Sequence, residues 1–545
     1  MREDEERAGG KFMNHRHGLP CRRTARRGCV LLAIALLLSG GCGALDGVSP
    51  GKWPAETTSS VTDAVTGSAA DNGEAPGQTG AGADGTGSGQ DGQVDKVIDK
   101  ESSMKDPVGT ITILKDERHQ TMDGFGTSGC WWAQDVGTWD EAVRDQVAAW
   151  LFDREKGIGL TQYRFNVGAG GINEAQDPWR RVEGFETAPG TYDFARDAGS
   201  VAMLRLAVDK GVDDVLFFAN SPPGRMLKNG KTTGDDKGGS NLLPGMEEAF
   251  ARYLVDIALH FRSEGIPVNH ISPVNEPQWN WTLASNGQEG CHYTPEGVIA
   301  VGKALVAELD ARGEGMTASL ADSGKFWDKD YTLGLYRTLS TDPAFAGRLP
   351  HFAAHAYWSS ELDKKLLATA LREMGNPLPL WQSEWCQMEG GADFGIDPAL
   401  VLARCVHEDL TILDCTAWQT WIAVTRYDYK DGLIHADTAA RTVTDMKRLW
   451  ALGNWSRFVR PGHVRVGATS PDDKLLVSAW QNADGKETVL VVVNEGDEAI
   501  TAGLPAAAGY AAWETSAERN LELVAQGNGS SYAFPARSIT TLVLE

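Results

Sequence analysis

A chain of 545 residues has room for two or three domains, and its 42% apolar and 23% charged content is ordinary for a soluble globular protein. The net charge of −23, with no basic stripe beyond the N-terminus, argues against a nucleic-acid partner. The 18 tryptophans are the compositional signal, because many stand at the ends of short apolar runs.

At the N-terminus Arg22-Arg23 and Arg26-Arg27 precede an apolar run at 30–38 and then Ser39-Gly40-Gly41-Cys42. A charged segment, a short apolar core and small residues read as an export signal, too short for a spanning helix. The small residues before Cys42 resemble a bacterial lipoprotein cleavage box, although Ser39 stands where an aliphatic residue is usual. Lipidation of Cys42 and simple secretion both remain open, as does a start at Met1 or Met13. The lipid anchor is the only membrane contact expected. Residues 43–107 are rich in Gly, Ser, Thr, Ala and Asp and lack the apolar surface to offset ordering entropy, so they read as a tether. Cys130, Cys291, Cys386, Cys405 and Cys415 form neither a disulfide framework nor a metal-ligand spacing.

The body alternates short apolar runs with helical periods. Strands are expected at 125–127, 160–167, 214–220, 268–275, 317–322, 352–357, 378–384 and 416–421. Helices are expected at 138–156, 196–210, 246–263, 294–310, 331–339, 360–374, 398–410 and 438–452. Strands without in–out alternation are buried on both faces, and their alternation with helices predicts a (β/α)8 barrel over 123–457. A doubly wound open sheet is the alternative, but no Gly-rich phosphate turn follows the first strand. Beyond 458 the helical period stops. Runs at 464–466, 475–480, 488–493 and 539–544 predict an antiparallel β-sandwich over 458–545, which a strand at 110–114, within 108–122, joins from the other end of the body.

Barrel chemistry sits where strands finish. There stand Arg164 and Asn166, Asn220, Asn275-Glu276 before Pro277 and Trp279, Asp322, His355 and Tyr357, Glu384-Trp385, and Trp418 with Trp421. Two carboxylates with Arg, Asn, His and Tyr around them suit glycosidic cleavage, one protonating the leaving oxygen while the other attacks or activates water. Arg164 would keep one of them ionised, and partial burial would keep the other protonated. Trp faces match the C–H faces of sugars. Nothing in this chemistry needs a metal or cofactor, and the expected partner is a polysaccharide or oligosaccharide. Cys386 has no His near it in sequence to act as a thiol nucleophile's base.

Met122-Asp123-Gly124-Phe125-Gly126, Asn220-Ser221-Pro222-Pro223, Asn275-Glu276-Pro277, Phe458-Val459-Arg460-Pro461-Gly462 and Pro535-Ala536-Arg537-Ser538 together resemble glycoside hydrolase family 30. The resemblance covers about 108–545 and implies a retaining hydrolase with a sandwich built from both ends of the body. It implies Glu276 as acid/base and Glu384 as nucleophile, their carboxyls ~5–5.5 Å apart. Asn275 would contact the sugar 2-hydroxyl, Arg164 would support the nucleophile, and Tyr357 would hydrogen-bond near it. Asn166, Asn220, Trp132, Trp279, His355 and Trp418 complete the expected sugar surface. Phe125 to Ala133 is similar to members acting on β-1,6-galactan, while relatives cleave β-1,6-glucan, glucuronoxylan, β-xylosides or glucosylceramide. A non-catalytic carbohydrate-binding lipoprotein is the rival from another class.

Overall fold

The computed structural model describes residues 106–171, 174–175, 177–235, 240–282, 287–505 and 509–545. The expected export segment at 1–42, with Cys42, and all of the expected tether except residues 106 and 107 lie outside the described residues.

Eight strand positions make the barrel: Gly124–Ser128, Gln162–Asn166, Asp214–Phe218, Val268–Ser272, a fifth in two pieces, Phe352–His355, Leu380–Trp385 and Ala417–Thr425. Neighbours in sequence pair in parallel, and the eighth strand pairs with the first. The fifth is broken at Ser319. Its first piece, Thr317–Ala318, pairs with the fourth strand, and its second, Leu320–Ser323, pairs with the sixth. That split carries the ladder around the ring. Val215, Leu216, Phe217 and Phe218 are all buried, as a strand covered on both faces requires.

Helices Glu141–Phe152, Ala198–Asp209, Glu247–Ser263, Pro295–Arg312, Thr332–Thr341, Glu361–Glu373 and Ile396–Thr411 follow strands one to seven. In Glu247–Ser263, Phe250, Leu254, Ile257 and Phe261 recur at helical spacing and are buried. Acidic residues in its first turn and basic ones in its last complement the helix dipole. Phe261 packs 5.9 Å from Phe165 of the second strand and 5.6 Å from Phe217 of the third, so truncating it to Ala costs about 3–5 kcal/mol. Ser360 caps Glu361–Glu373 through a reciprocal bond with Asp363.

The helix expected at 438–452 is a correction. Gly432–Asp437 and Thr442–Asp445 form an antiparallel hairpin, and the helix is Lys447–Ser456. Thr442-Val443-Thr444 is a β-branched run, and the Asp437 carboxylate accepts the N–H groups of Ala439 and Ala440 to make the turn.

The sandwich sheet has seven strands in the order Thr112–Thr121, Val464–Thr469, Leu475–Gln481, Thr488–Asn494, Ser538–Leu544, Tyr510–Thr515 and Asn520–Gly527. Its first strand comes from before the barrel. Along Thr488–Asn494, Val489, Val491 and Val493 face the barrel's core cluster. Leu490 and Val492 face a second cluster with Ala502 and Phe534, which belong to the small sheet Ile500–Gly503 and Ser531–Phe534. Four strands here lie beyond the expected set: the two of that small sheet are only 4 residues long, Asn520–Gly527 is half exposed, and Tyr510–Thr515 carries the short apolar run Tyr510-Ala511-Ala512-Trp513.

Candidate active site

The fourth strand ends at Ser272, and Pro273 stops the ladder before Asn275 and Glu276. Glu276 has φ of +43°, in the left-handed region that a Glu rarely enters. Two hydrogen bonds hold it there: its N–H donates to the Asp322 carbonyl at 2.8 Å, and Trp281 Nε1 donates to its own carbonyl at 2.9 Å. Glu384 lies near the end of the seventh strand. Only 7% of Glu276 and 4% of Glu384 is exposed. One carboxylate oxygen from each and one ring nitrogen of His355 all lie within 4.8 Å of one another.

The surroundings treat the two carboxylates differently. Arg164 Nη1 donates to Glu384 Oε2 at 2.9 Å, and the Tyr357 hydroxyl donates to Oε1 at 3.1 Å. Glu276 meets His355 Nδ1 at 3.1 Å. Burial raises the Glu276 pKa, with the Glu384 charge adding to it and His355 and Arg164 opposing. Burial works against the charge of Asp322, but Arg164, His355 and Ser272 outweigh it and hold that carboxyl well below its usual range. Burial likewise opposes the charge of His355, yet Glu384, Asp322 and Glu276 together lift it to about 9. Two cationic side chains, Arg164 and His355, thus stand among three buried carboxyls, Glu276, Glu384 and Asp322.

A run of amides extends this network. Arg164 Nη2 donates to Asn275 Oδ1 at 3.3 Å, Asn275 Nδ2 to Asn220 Oδ1 at 3.1 Å, and Asn220 Nδ2 to Asn166 Oδ1 at 3.3 Å. The structure therefore brings Glu276, Glu384, Arg164, Asn166, Asn220, Asn275, His355 and Tyr357 together. Trp279 lies beside them, its ring edge-on to Trp358 at 6.0 Å.

Two tryptophans expected at the sugar surface lie away from it. Trp132 is fully buried and donates its indole N–H to the Ser128 carbonyl at 2.8 Å. Trp418 is fully buried and donates to Asp409 on the helix Ile396–Thr411 at 2.9 Å. Side chains alternate along a strand, so Gln419 and Trp421 point opposite to Trp418. Gln419 bonds past the first strand to Gln162 of the second at 2.9 Å, and Trp421 meets Trp131 edge-on at 5.1 Å. Counting by twos from Gln419 puts Trp421, not Trp418, on the inner side of the strand. Asp322 stands at a strand end with no role readable from the sequence. Its Oδ2 accepts from Ser272, its Oδ1 accepts from Ser383 at 2.6 Å, and its Oδ2 faces Arg164 at 3.6 Å.

Glu276, His355 and Glu384 also have the spacing of a divalent-cation site. The Arg164 guanidinium on Glu384 already supplies the positive charge there, so this donor set fits a metal poorly. The five described cysteines are free and buried, and burial pushes the Cys386 thiol up.

The catalytic model of O-glycosyl hydrolase family 30 matches residues 108–335 and 346–435, and the beta sandwich model of the same family matches 462–542. The chain belongs to glycoside hydrolase family 30. An endo-β-1,6-galactanase of Hypocrea rufa is 26% identical over 415 residues, 71% of this chain and 81% of that protein. A glucuronoxylanase of Bacillus subtilis (strain 168) is 24% identical over 350 residues, 60% of this chain and 74% of that protein. Among solved structures, a conserved exported protein from Bacteroides fragilis superposes with TM-score 0.73 at 27% identity, covering 80% of this chain and 100% of that one. As a member of glycoside hydrolase family 30 the protein is a glycosidase, and its relatives act on β-1,6-galactan and xylan.

Proposed function

We propose that the protein hydrolyses a β-linked polysaccharide by double displacement with retention, and that the polysaccharide is β-1,6-galactan. The observation that carries the mechanism is the approach of the Glu276 and Glu384 carboxyls within 4.8 Å. Retaining pairs stand ~5–5.5 Å apart, and inverting pairs leave ~6.5–9.5 Å for a water. Glu384, held by Arg164 and Tyr357, attacks the anomeric carbon as the glycosidic bond breaks. Glu276, whose pKa burial raises, gives its proton to the departing oxygen. A water then donates a proton back to Glu276 and displaces Glu384 from the anomeric carbon. His355 and Asp322 keep the cluster's charge balanced while the proton moves.

Galactan is supported by the Hypocrea rufa galactanase, and by an exo-β-1,6-galactobiohydrolase of Bifidobacterium longum that is 24% identical over 237 residues, 32% of this chain and 16% of that protein. The glucuronoxylanase similarity supports xylan as the second reading. The Arg-rich N-terminal run and Ser39-Gly40-Gly41-Cys42 support work outside the cell, tethered through a lipid on Cys42. Loss of a Cys42→Ala protein from the membrane fraction tests that anchor.

The deciding experiment is a product screen on β-1,6-galactan, glucuronoxylan and β-1,6-glucan, with Glu384→Gln beside the wild type. Release of β-1,6-galacto-oligosaccharides by the wild type alone is the expected result. Release from xylan but not galactan would overturn the substrate, and undiminished hydrolysis by Glu384→Gln would overturn the site.

A further inference from the structure

Trp358 follows the sixth strand three residues after His355, and 47% of its surface is exposed. Its φ is +48°, a backbone region costly for a bulky side chain. The loop around it is nevertheless pinned. Ser359 Oγ donates to the Tyr357 carbonyl at 3.0 Å and accepts the Phe326 N–H at 3.2 Å, which ties the loops after strands five and six together. The pinned loop therefore presents an indole half exposed to solvent.

Its position says which ligand. The ring stands edge-on, at 87°, to Trp279, which follows Glu276 by three residues. Gly324 follows the fifth strand at the same place. A Cβ on it would stand 2.9 Å from Glu276 Oε1 and 2.6 Å from Trp279 Nε1, so only glycine lets the acid and this indole close against the backbone. Trp279 is thus fixed on the acid's side of the cleft, whereas Arg164 and the Tyr357 hydroxyl mark the nucleophile's side. The Trp358 ring lies 6.0 Å from that of Trp279 and 5.6 Å from that of Tyr357. A general acid faces the leaving group, and the contact with Trp279 puts Trp358 within reach of the departing sugar.

We propose that Trp358 is the stacking platform of the leaving-group subsite, taking the C–H face of the first galactosyl ring beyond the cleaved bond. This rests on the galactan reading above. The indole offers a rigid apolar face beside the acid and needs no rearrangement to receive a ring.

The test compares kcat/KM on β-1,6-galactan with kcat/KM on β-1,6-galactobiosyl fluoride, whose leaving group is too small to reach the platform. Trp358→Ala should lower the galactan-to-fluoride ratio about tenfold, the size of one lost aromatic contact, and Trp358→Tyr should restore most of it. An unchanged ratio in Trp358→Ala overturns the proposal, as does a Tyr variant no better than Ala. A wild type inert toward galactan and fluoride alike overturns the galactan reading instead, and with it the ligand named here.

Discussion

The two ends of the barrel use similar side chains for opposite purposes. Where the strands begin, Trp381 donates to Asp123 at 2.8 Å, His351 stacks on Trp381 at 3.5 Å, and His270 faces Asp214 at 3.3 Å. A cavity of about 700 Å³ lies there, lined by His119, His270, His351 and Trp381 among others. Where the strands finish, two Glu carboxyls crowd each other among Arg164, His355 and Asp322. The backbone does not divide in the same way: left-handed positions include Glu314, Asn376 and Asp414 at the first end and Glu276, Asp322 and Trp358 at the second. Open volume therefore does not mark the chemistry. Crowded like charges do.

That contrast breaks most visibly under substitution of the acid. Glu276→Gln should lower kcat on the polysaccharide about 10³-fold, and far less on an aryl glycoside whose leaving group departs without a proton. Steady-state kinetics on the two substrates checks the split. Equal losses on both would remove Glu276 from the acid's role.

A second effect is in stability. The folded pKa of His355 is raised from 6.5 to about 9, so its contribution is complete below pH 6.5 and is lost as pH rises through about 9. It amounts to something on the order of 3 kcal/mol. Urea unfolding of wild type and His355→Gln at pH 6.5 and pH 9 should show a steeper loss in the wild type. The smallest effect belongs to the other end: Trp381→Phe forfeits the bond to Asp123 and costs about 1 kcal/mol by the same unfolding measurement, with kcat unchanged. A fall in kcat there would erase the contrast between the two ends.

The barrel was legible because strands buried on both faces leave unbroken apolar runs, and its reactive end because polar residues such as Asn275 and Glu276 interrupt those runs abruptly. The pairing of the fifth strand in two pieces was not, since the break at Ser319 reflects closure of the ring rather than any local preference. Trp418 misled because a tryptophan at a strand end can face either the helices or the barrel, and only the count from Gln419 separates the two. Asp322 escaped a role because its charge matters through Arg164 and His355, partners far away in the chain.

The central claim is that Glu276 and Glu384 act as a retaining pair, and proton NMR of the first product formed from β-1,6-galactan tests it most directly. The β-anomer should appear before mutarotation produces the α-anomer. Early appearance of the α-anomer would contradict a covalent intermediate on Glu384.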